Sequence, residues 1–153
     1  MGEGTEGFPA AARLLREAYG LDARVSRLDG ENENYLAQGQ DGTRYVLKLA
    51  DPSDDPALLD LEHAAVEAVH TAGLGLELPR ILPTLQGAVA AEGAGRRGRL
   101  LAFVSGQPWG TDVPASPERL DRIGGILARL HLAMAGIDRP SAHRTHPWDL
   151  AQA

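Results

Sequence analysis

Residues 43–49 read Thr-Arg-Tyr-Val-Leu-Lys-Leu, and this stretch decides the fold class. It mixes β-branched and aromatic residues with leucine, and Gln40-Asp41-Gly42 just before it is a hairpin signal. Strand alternation predicts two faces: Tyr45, Leu47 and Leu49 on one, and Arg44, Val46 and Lys48 on the other. The pattern therefore predicts a strand that follows a tight turn.

Two further strand-like segments lie upstream, at Ala23–Leu28 and Tyr35–Gln38, with a polar loop over residues 29–34 between them. Such short connections leave no room for crossover helices, so we predict an antiparallel meander rather than a parallel sheet. Three more strands are predicted downstream, at Arg80–Leu82, Gly87–Ala91 and Arg99–Val104. The polar residues Glu92–Gly98 are predicted to form a loop between the last two.

Three helices are predicted around these strands. Residues 9–19 keep apolar side chains at helical spacing. Asp55 followed by Pro56 is a helix start, and that helix is expected to end near His70. Ser116-Pro117 starts the last helix, whose apolar stripe runs to Met134 and which Gly136 is expected to cap.

The composition bounds the function classes. The chain has 153 residues, a net charge of −6 and no cysteine. An acidic balance argues against a nucleic-acid or membrane-surface protein with a basic footprint, and the missing cysteines exclude disulfides and thiolate chemistry. No apolar run reaches the length of a membrane span, and the acidic start is unlike a signal peptide. We expect a cytoplasmic protein that binds neither nucleic acid nor membrane.

One pair of residues points to chemistry. Lys48 lies on the clearest strand, and Glu62 lies within the apolar stripe of the following helix, whereas His63 and Glu67 lie on the opposite side. A carboxylate on a core-facing stripe is costly unless it meets a cation. A strand lysine paired with an inward helix glutamate is the arrangement that holds nucleotide phosphates in protein kinases.

The order of the segments resembles the N-terminal lobe of the aminoglycoside phosphotransferase and choline kinase superfamily. The resemblance rests on residues 29–35 (Asp-Gly-Glu-Asn-Glu-Asn-Tyr), 44–48 (Arg-Tyr-Val-Leu-Lys), Glu62, 99–106 and the helix at 122–131. Residues 148–150 (Trp-Asp-Leu) are similar to hydroxylysine-kinase-like members.

The resemblance implies an α+β fold: a kinase-like lobe with an antiparallel sheet of about five strands and one packed helix, followed by a linker and the first helix of a missing C-terminal lobe. We expect a disordered leader over residues 1–8, the nucleotide-binding lobe over 9–106, and the linker and truncated lobe over 107–153.

The resemblance also implies roles for individual residues. Lys48 would contact the α and β phosphates and Glu62 would orient it. The backbone of residues 32–35 would lie over the phosphates; these are Asn32, Glu33, Asn34 and Tyr35. Ala102 and Val104 would present backbone groups to adenine, with Val46 above the ring and Leu101 at the back of the pocket.

One departure from the family pattern is large. Members have a His-Gly-Asp-x-x-x-x-Asn loop, and no His-Gly-Asp occurs in this chain. We therefore expect no catalytic or metal-binding residue in this segment and no appreciable turnover from it alone. The expected cofactor is ATP with Mg²⁺, whose ligands would lie in the missing lobe.

Three readings stay open. In the first, the chain is the ATP-binding lobe of a kinase that phosphorylates a hydroxyl of an amino alcohol or an aminoglycoside-like substrate. In the second, it is a complete, kinase-derived binding module without catalysis, able to self-associate through the exposed lobe face. In the third, it is an unrelated α+β domain in which Lys48 and Glu62 are a plain structural pair.

Overall fold

The computed structural model describes residues 7–30, 33–53, 55–93, 95–107 and 114–143. The chain forms two compact units. Unit 1 comprises Met1–Asp54 and Leu78–Ser105, and unit 2 comprises Asp55–Glu77 and Gly106–Ala153. The described strands all belong to unit 1, and the regular secondary structure described in unit 2 is helical.

Unit 1 contains an antiparallel sheet, to which the described residues contribute six strands. They are β1 (Ala23–Leu28), β2 (Glu33–Gly39), β3 (Arg44–Leu49), β4 (Ile81–Leu82), β5 (Ala91–Gly93) and β6 (Arg96–Ala102). The order across the sheet is β1-β2-β3-β6-β4, and β5 pairs with β6 as well. The predicted antiparallel meander of the first three strands is confirmed.

The β2–β3 turn forms for local reasons. The N–H of Gly39 donates to the Thr43 carbonyl at 2.9 Å, and the Asp41 carboxylate accepts from the Thr43 N–H at 2.9 Å. Gly42 has a φ of 82°, a left-handed conformation that favours glycine. The hairpin predicted at residues 40–42 is therefore confirmed.

Helix α1 (Gly7–Tyr19) covers one face of the sheet. The core between them is aliphatic apart from one tyrosine: Ala11, Leu14, Leu15, Tyr35, Ala37, Leu47, Leu49, Ala91 and Leu100. Phe8 packs edge-on against Tyr35 with ring centroids 5.9 Å apart. Because Phe8 belongs to the helix, the prediction of a disordered leader through residue 8 is wrong for its last two positions; residues 1–6 lie outside the described ranges.

The predictions for the second half of the sheet need correction. The strand predicted at Gly87–Ala91 begins only at Ala91, and the loop predicted over Glu92–Gly98 is largely a β5–β6 hairpin. Gly95, with a φ of 75°, lies at its turn, and Arg97 pairs across it with Glu92 at 2.7 Å. The polar residues looked like a loop because their partners, Glu92 for Arg97 across the hairpin and Glu33 for Arg96, are not visible in the local pattern.

Unit 2 contains α2 (Pro56–Thr71), α3 (Pro117–Met134) and a short 3₁₀ helix, Pro140–Ala142. Both predicted helix starts are confirmed, because the Asp55 carboxylate accepts from the Ala57 N–H at 2.9 Å and the Ser116 hydroxyl accepts from the Arg119 N–H at 3.3 Å. Helix α3 ends at a C-cap on Ala135 rather than Gly136. The Arg129 guanidinium donates to the Leu74 carbonyl, just beyond α2, at 3.2 Å.

Candidate functional site

The face of the sheet opposite α1 carries Lys48, and we call it the Lys48 face. The predicted alternation of β3 is confirmed: Leu47 and Leu49 are buried in the core beneath α1, whereas Val46 and Lys48 alternate with them and are half-buried. Directly paired residues of antiparallel strands lie on the same face, about 5 Å apart. The strand register therefore identifies which residues of β2 and β6 lie beside Val46 and Lys48.

Two rows of side chains cross the Lys48 face. The apolar row pairs Val46 with Leu36 on one side and Leu101 on the other, and Leu101 pairs in turn with Ile81. The polar row lies next to it along the strands. It consists of Asn34, Lys48 and Arg99, which are register partners in that order.

The polar row is electropositive and rich in hydrogen-bond donors. Lys48 and Arg99 lie directly opposite each other, and Arg99 is only 6% exposed. On the other side of Lys48, the Asn34 Oδ1 atom is buried and has no hydrogen-bond partner among the described residues. Two cations beside an unsatisfied amide suit an anionic ligand that carries additional polar groups.

Glu33 and Tyr35 belong to the other face. Tyr35 is 1% exposed, and its hydroxyl donates to Glu33, which also forms an ion pair with Arg96. The Tyr35 hydrogen bond, and then the Arg96 guanidinium, lower the pKa of Glu33. Burial, and then the bond to Glu33, raise the pKa of Tyr35 to about 12. Both side chains therefore lie on the α1 face and stabilise the sheet.

The backbone expected over the phosphates is only partly described. Asn34 and Tyr35 are registered with both β1 and β3, so they lie inside the sheet ladder. Asn32 lies outside the described residues. Gly30, at the described end of the preceding loop, has a positive φ of 152°, and a Cβ there would lie 3.4 Å from the side-chain Nδ2 atom of Asn34.

The segment expected to contact adenine follows β6. The N–H of Ala102 donates to the Arg80 carbonyl at 2.8 Å, and the N–H of Phe103 donates to the Arg44 carbonyl at 3.2 Å. Arg44 also stacks its guanidinium on the Phe103 ring, 4.1 Å from the centroid. The first bond holds the end of β6 beside the start of β4, and the two Arg44 contacts hold it beside β3. The Ala102 carbonyl and the Val104 amide are the backbone groups predicted to face adenine.

Glu62 lies on α2 in unit 2, whereas Lys48 lies in unit 1. Glu62 is exposed, although it makes an interaction, and His63 is half-buried with its Nδ1 atom fully buried. The expectation that Glu62 is inward and His63 solvent-facing is therefore wrong. Apolar residues cover more than one stripe of α2, so helical spacing alone did not locate the buried side; the Lys48–Glu62 pair stays a prediction.

Arg99 is the functional candidate that sequence reasoning missed, and Arg96, which stabilises the sheet through Glu33, is a structural residue that it missed. Arg99 was assigned to a strand, but its position beside Lys48 depends on the β3–β6 register across about fifty residues. Arg96 was assigned to a loop. Alternation within β6 was the one available signal, since it places Arg99 and Leu101 on a common face.

The remaining ionisable groups suggest no metal centre. Among the described residues, no three His, Asp or Glu side chains come close enough together to hold a metal ion. His143 contacts Asp138 at 3.1 Å, and His146 and Trp148 lie outside the described ranges.

No helix in the described part of the chain has the length and apolar character needed to cross a membrane.

Comparison with known proteins defines the family. Residues 22–153 match the model of the APH group, the phosphotransferase enzyme family. The chain belongs to this family. The superfamily resemblance seen in the sequence is thereby confirmed. No curated protein matches the chain.

Solved structures of phosphotransferases have the same fold. A microcompartment-associated aminopropanol kinase is 22% identical with a TM-score of 0.65, covering 91% of this chain and 44% of its own. A spectinomycin phosphotransferase in complex with ADP and spectinomycin is 16% identical with a TM-score of 0.58, covering 86% and 38%. An aminoglycoside phosphotransferase from Alicyclobacillus acidocaldarius is 21% identical with a TM-score of 0.58, covering 79% and 36%.

These likenesses confirm the predicted fold class, an α+β kinase-like lobe built on an antiparallel sheet. The chain spans less than half the length of the phosphotransferases that it matches.

Proposed function

We propose that this chain is the ATP-binding portion of a small-molecule kinase, which transfers the γ-phosphoryl group of ATP to a hydroxyl of an amino alcohol or an aminoglycoside-like substrate. The observation that carries the proposal is the Lys48 face, where an apolar row lies directly beside a cationic row. A nucleotide has the same division, since a flat apolar base is joined to a polyanionic tail.

The apolar row suits the base. Val46 and Leu101 are adjacent in register, and both are half-buried. In our proposal they contact the adenine ring, while the Ala102 carbonyl and the Val104 amide bond its polar edge. Burial of an aromatic ring against aliphatic side chains contributes roughly 25 cal/mol per Å² of apolar area removed from water.

The polar row suits the phosphates. Lys48 comes two residues after Val46 on the same strand, which is about 7 Å along the strand. That spacing suits a ligand whose charge begins one sugar away from its base. In our proposal Lys48 bonds the α and β phosphates, Asn34 lies beneath the loop that covers them, and Glu62 orients Lys48.

Mg²⁺ would neutralise charge on the β and γ phosphates when ATP is bound. The residues on the Lys48 face fit the phosphates rather than the metal, because the polar row offers an ammonium, a guanidinium and one amide oxygen. In our proposal, oxygen ligands for Mg²⁺ would come from residues outside the Lys48 face. In our proposal Lys48 acts by binding and orienting the phosphates.

The acceptor class rests on relatives. One fold neighbour is an aminopropanol kinase and another is a spectinomycin phosphotransferase. The name aminopropanol describes a hydroxyl and an amino group in one small molecule, so we propose an acceptor of the same chemistry for the kinase to which this chain belongs.

Nucleotide titration tests the proposal. Calorimetric binding of adenosine, ADP and ATP to the chain, with Mg²⁺ present, should show affinity that rises with phosphate number. Lys48→Met should lose at least about tenfold in ATP affinity, the size of one charge-assisted contact, and keep adenosine binding. Arg16→Met, which removes one exposed charge from α1, is the matched control. An intact chain that binds no nucleotide would refute the proposal.

The Lys48–Glu62 pair has its own test. In a double-mutant cycle of Lys48→Met and Glu62→Gln, ATP affinity should show a coupling of roughly 1 kcal/mol if Glu62 orients Lys48. If the two substitutions change ATP affinity independently of each other, Glu62 does not orient Lys48.

A non-catalytic binding module is the second candidate. Three leucines of α3 support it, because Leu120, Leu127 and Leu132 are exposed by 56%, 48% and 76%. Leu120 and Leu127, two turns apart, share one side of α3, whereas Leu132 lies on another side. Exposed apolar side chains that share a helix face are typical of a surface that meets a partner. Sedimentation of the chain over a range of concentrations separates the candidates: self-association without phosphoryl transfer in the native gene product favours the module.

A further inference from the structure

We propose that Arg99 is a second phosphate-binding residue on the Lys48 face, one that forms a two-cation clamp with Lys48. The inference deepens the proposed function and rests on it. It also adds specificity, because a clamp of two cations favours nucleotides with two or more phosphates over those with one or none.

The first argument is the register. Lys48 and Arg99 are direct cross-strand partners, so both side chains leave the sheet on the same face about 5 Å apart. Like charges in this position repel and destabilise a sheet. An anion held between the two side chains converts that repulsion into two favourable contacts, which gives the pair a role that packing alone does not.

The second argument is the burial of Arg99. Arg99 is only 6% exposed as a residue, and a buried guanidinium needs acceptors for its donors. Arg99 takes part in an interaction within the folded chain. Its planar group has five N–H donors, however, and a fork of this geometry can bind a phosphate with one edge while another edge is engaged.

The third argument is the composition of the row. The Asn34 Oδ1 atom, on the far side of Lys48, is buried and has no hydrogen-bond partner among the described residues. The row therefore presents two cations and one orphaned acceptor to the same region. A polyphosphate bound through the cations, with a ribose hydroxyl or a bound water donating to Asn34, satisfies all three groups.

The neighbouring arginines of β6 do not share this position. Arg96 is paired with Glu33 on the α1 face, and Arg97 is paired with Glu92 beyond the end of β3. Arg99 is therefore the one arginine of β6 in the polar row of the Lys48 face.

Calorimetric titration of the chain with adenosine, ADP, ATP and tripolyphosphate tests the clamp. Arg99→Met should lose about tenfold in affinity for ADP, ATP and tripolyphosphate and stay within about twofold of wild type for adenosine. Arg99→Lys keeps the charge but loses the fork, and should lose about threefold for the same ligands. Arg16→Met controls for net charge, and circular dichroism checks that each variant is folded.

The outcomes separate the clamp from the function beneath it. If Arg99→Met binds ATP as tightly as wild type does, while Lys48→Met binds ATP more weakly, the clamp is overturned and the kinase proposal stands. An equal loss of adenosine and ATP in Arg99→Met overturns it too, because Arg99 then supports only the fold. If Arg99→Met does not fold, Arg99→Lys decides, and unchanged ATP affinity there counts against the clamp. A wild-type chain that binds neither adenosine nor ATP sinks both proposals.

Discussion

Glu33 and Arg96 lie 63 positions apart and form an ion pair on the α1 face of the sheet. Arg96 also donates to the Ala50 carbonyl, through Nε at 3.3 Å and through its terminal nitrogen at 3.2 Å. One guanidinium thus joins the first residue of β2 to the residue that follows β3. Since the loop between β1 and β2 ends at Glu33, this ion pair fixes the position where that loop enters the sheet.

Loss of the ion pair should destabilise unit 1. Both partners are only partly exposed, so Glu33→Gln and Arg96→Met should each lower the free energy of unfolding by about 1–2 kcal/mol, more than a surface pair contributes. Urea denaturation of both single variants and the double variant measures the coupling. A coupling below about 0.3 kcal/mol would show that the two side chains act independently.

Tyr35 should make the chain sensitive to alkali. Its folded-state pKa of about 12 lies above the ordinary value of 10.0, so its neutral hydroxyl is stabilised by folding. This contribution to stability is fully present below pH 10 and is lost as the pH rises through about 12. The charged groups beside the Tyr35 hydroxyl are Glu33, Arg27 and Arg96. The melting temperature of wild type should therefore fall between pH 10 and 12 more than that of Tyr35→Phe.

Tyr35→Phe isolates the hydroxyl because it keeps the ring that packs against Phe8. Melting followed by far-ultraviolet circular dichroism at pH 8, 10, 11 and 12 gives both curves. Parallel curves for the two proteins would show that Tyr35 does not titrate with the fold.

The N-cap of α2 is a local device whose effect can be isolated. Asp55 accepts a hydrogen bond from the Ala57 N–H, so Asp55→Ala should cost about 1 kcal/mol, while Asp55→Asn, which can still cap, should cost a few tenths. Helical circular dichroism during urea denaturation measures both. Equal losses in the two variants would assign the effect to charge rather than to capping.

The parts of the fold that could be predicted from sequence are those set by neighbours in the chain. The β2–β3 turn depends on Asp41 and Gly42 beside it, and the start of α2 depends on Asp55 and Pro56. Alternation along β3 gave both faces of that strand correctly. Each of these features involves residues within about four positions of one another, so the sequence contains its physical cause.

The candidate site was only half predictable for the opposite reason. Lys48 and Val46 could be assigned to one face, but their partners Arg99 and Leu101 come from a strand about fifty residues away. Glu33 looked like a loop residue because its partner, Arg96, lay in a segment with no strand pattern. The prediction for the buried side of α2 is wrong at His63. Apolar residues occur on several sides of this helix, so tertiary packing rather than helical spacing determines which side is buried.

Two glycines of the β5–β6 hairpin make room for α1, and Gly98 gives the sharper test. A Cβ at Gly98 would lie 2.6 Å from Leu14 Cδ2 and 3.0 Å from Leu49 Cδ2, and Tyr19 donates its hydroxyl to the Gly98 carbonyl at 3.2 Å. Gly98→Ala should therefore overpack the core and lower the free energy of unfolding by about 1–3 kcal/mol. Leu14 is the neighbour that must move.

A second substitution turns this clash into a controlled measurement. Leu14→Ala removes the Cδ2 methyl group that faces Gly98, together with the rest of the side chain beyond Cβ, and costs about 2–5 kcal/mol alone. In the Leu14→Ala background, Gly98→Ala should lower the free energy of unfolding far less than it does in wild type. Urea denaturation should therefore show that the double variant is more stable than the sum of the two single losses implies. Gly124→Ala, in α3 with nothing within 4 Å of its Cβ position, is the matched control and should stabilise by about 0.5–1 kcal/mol. If Gly98→Ala costs as much without the Leu14 side chain as with it, the close approach of α1 to β6 is not what requires glycine there.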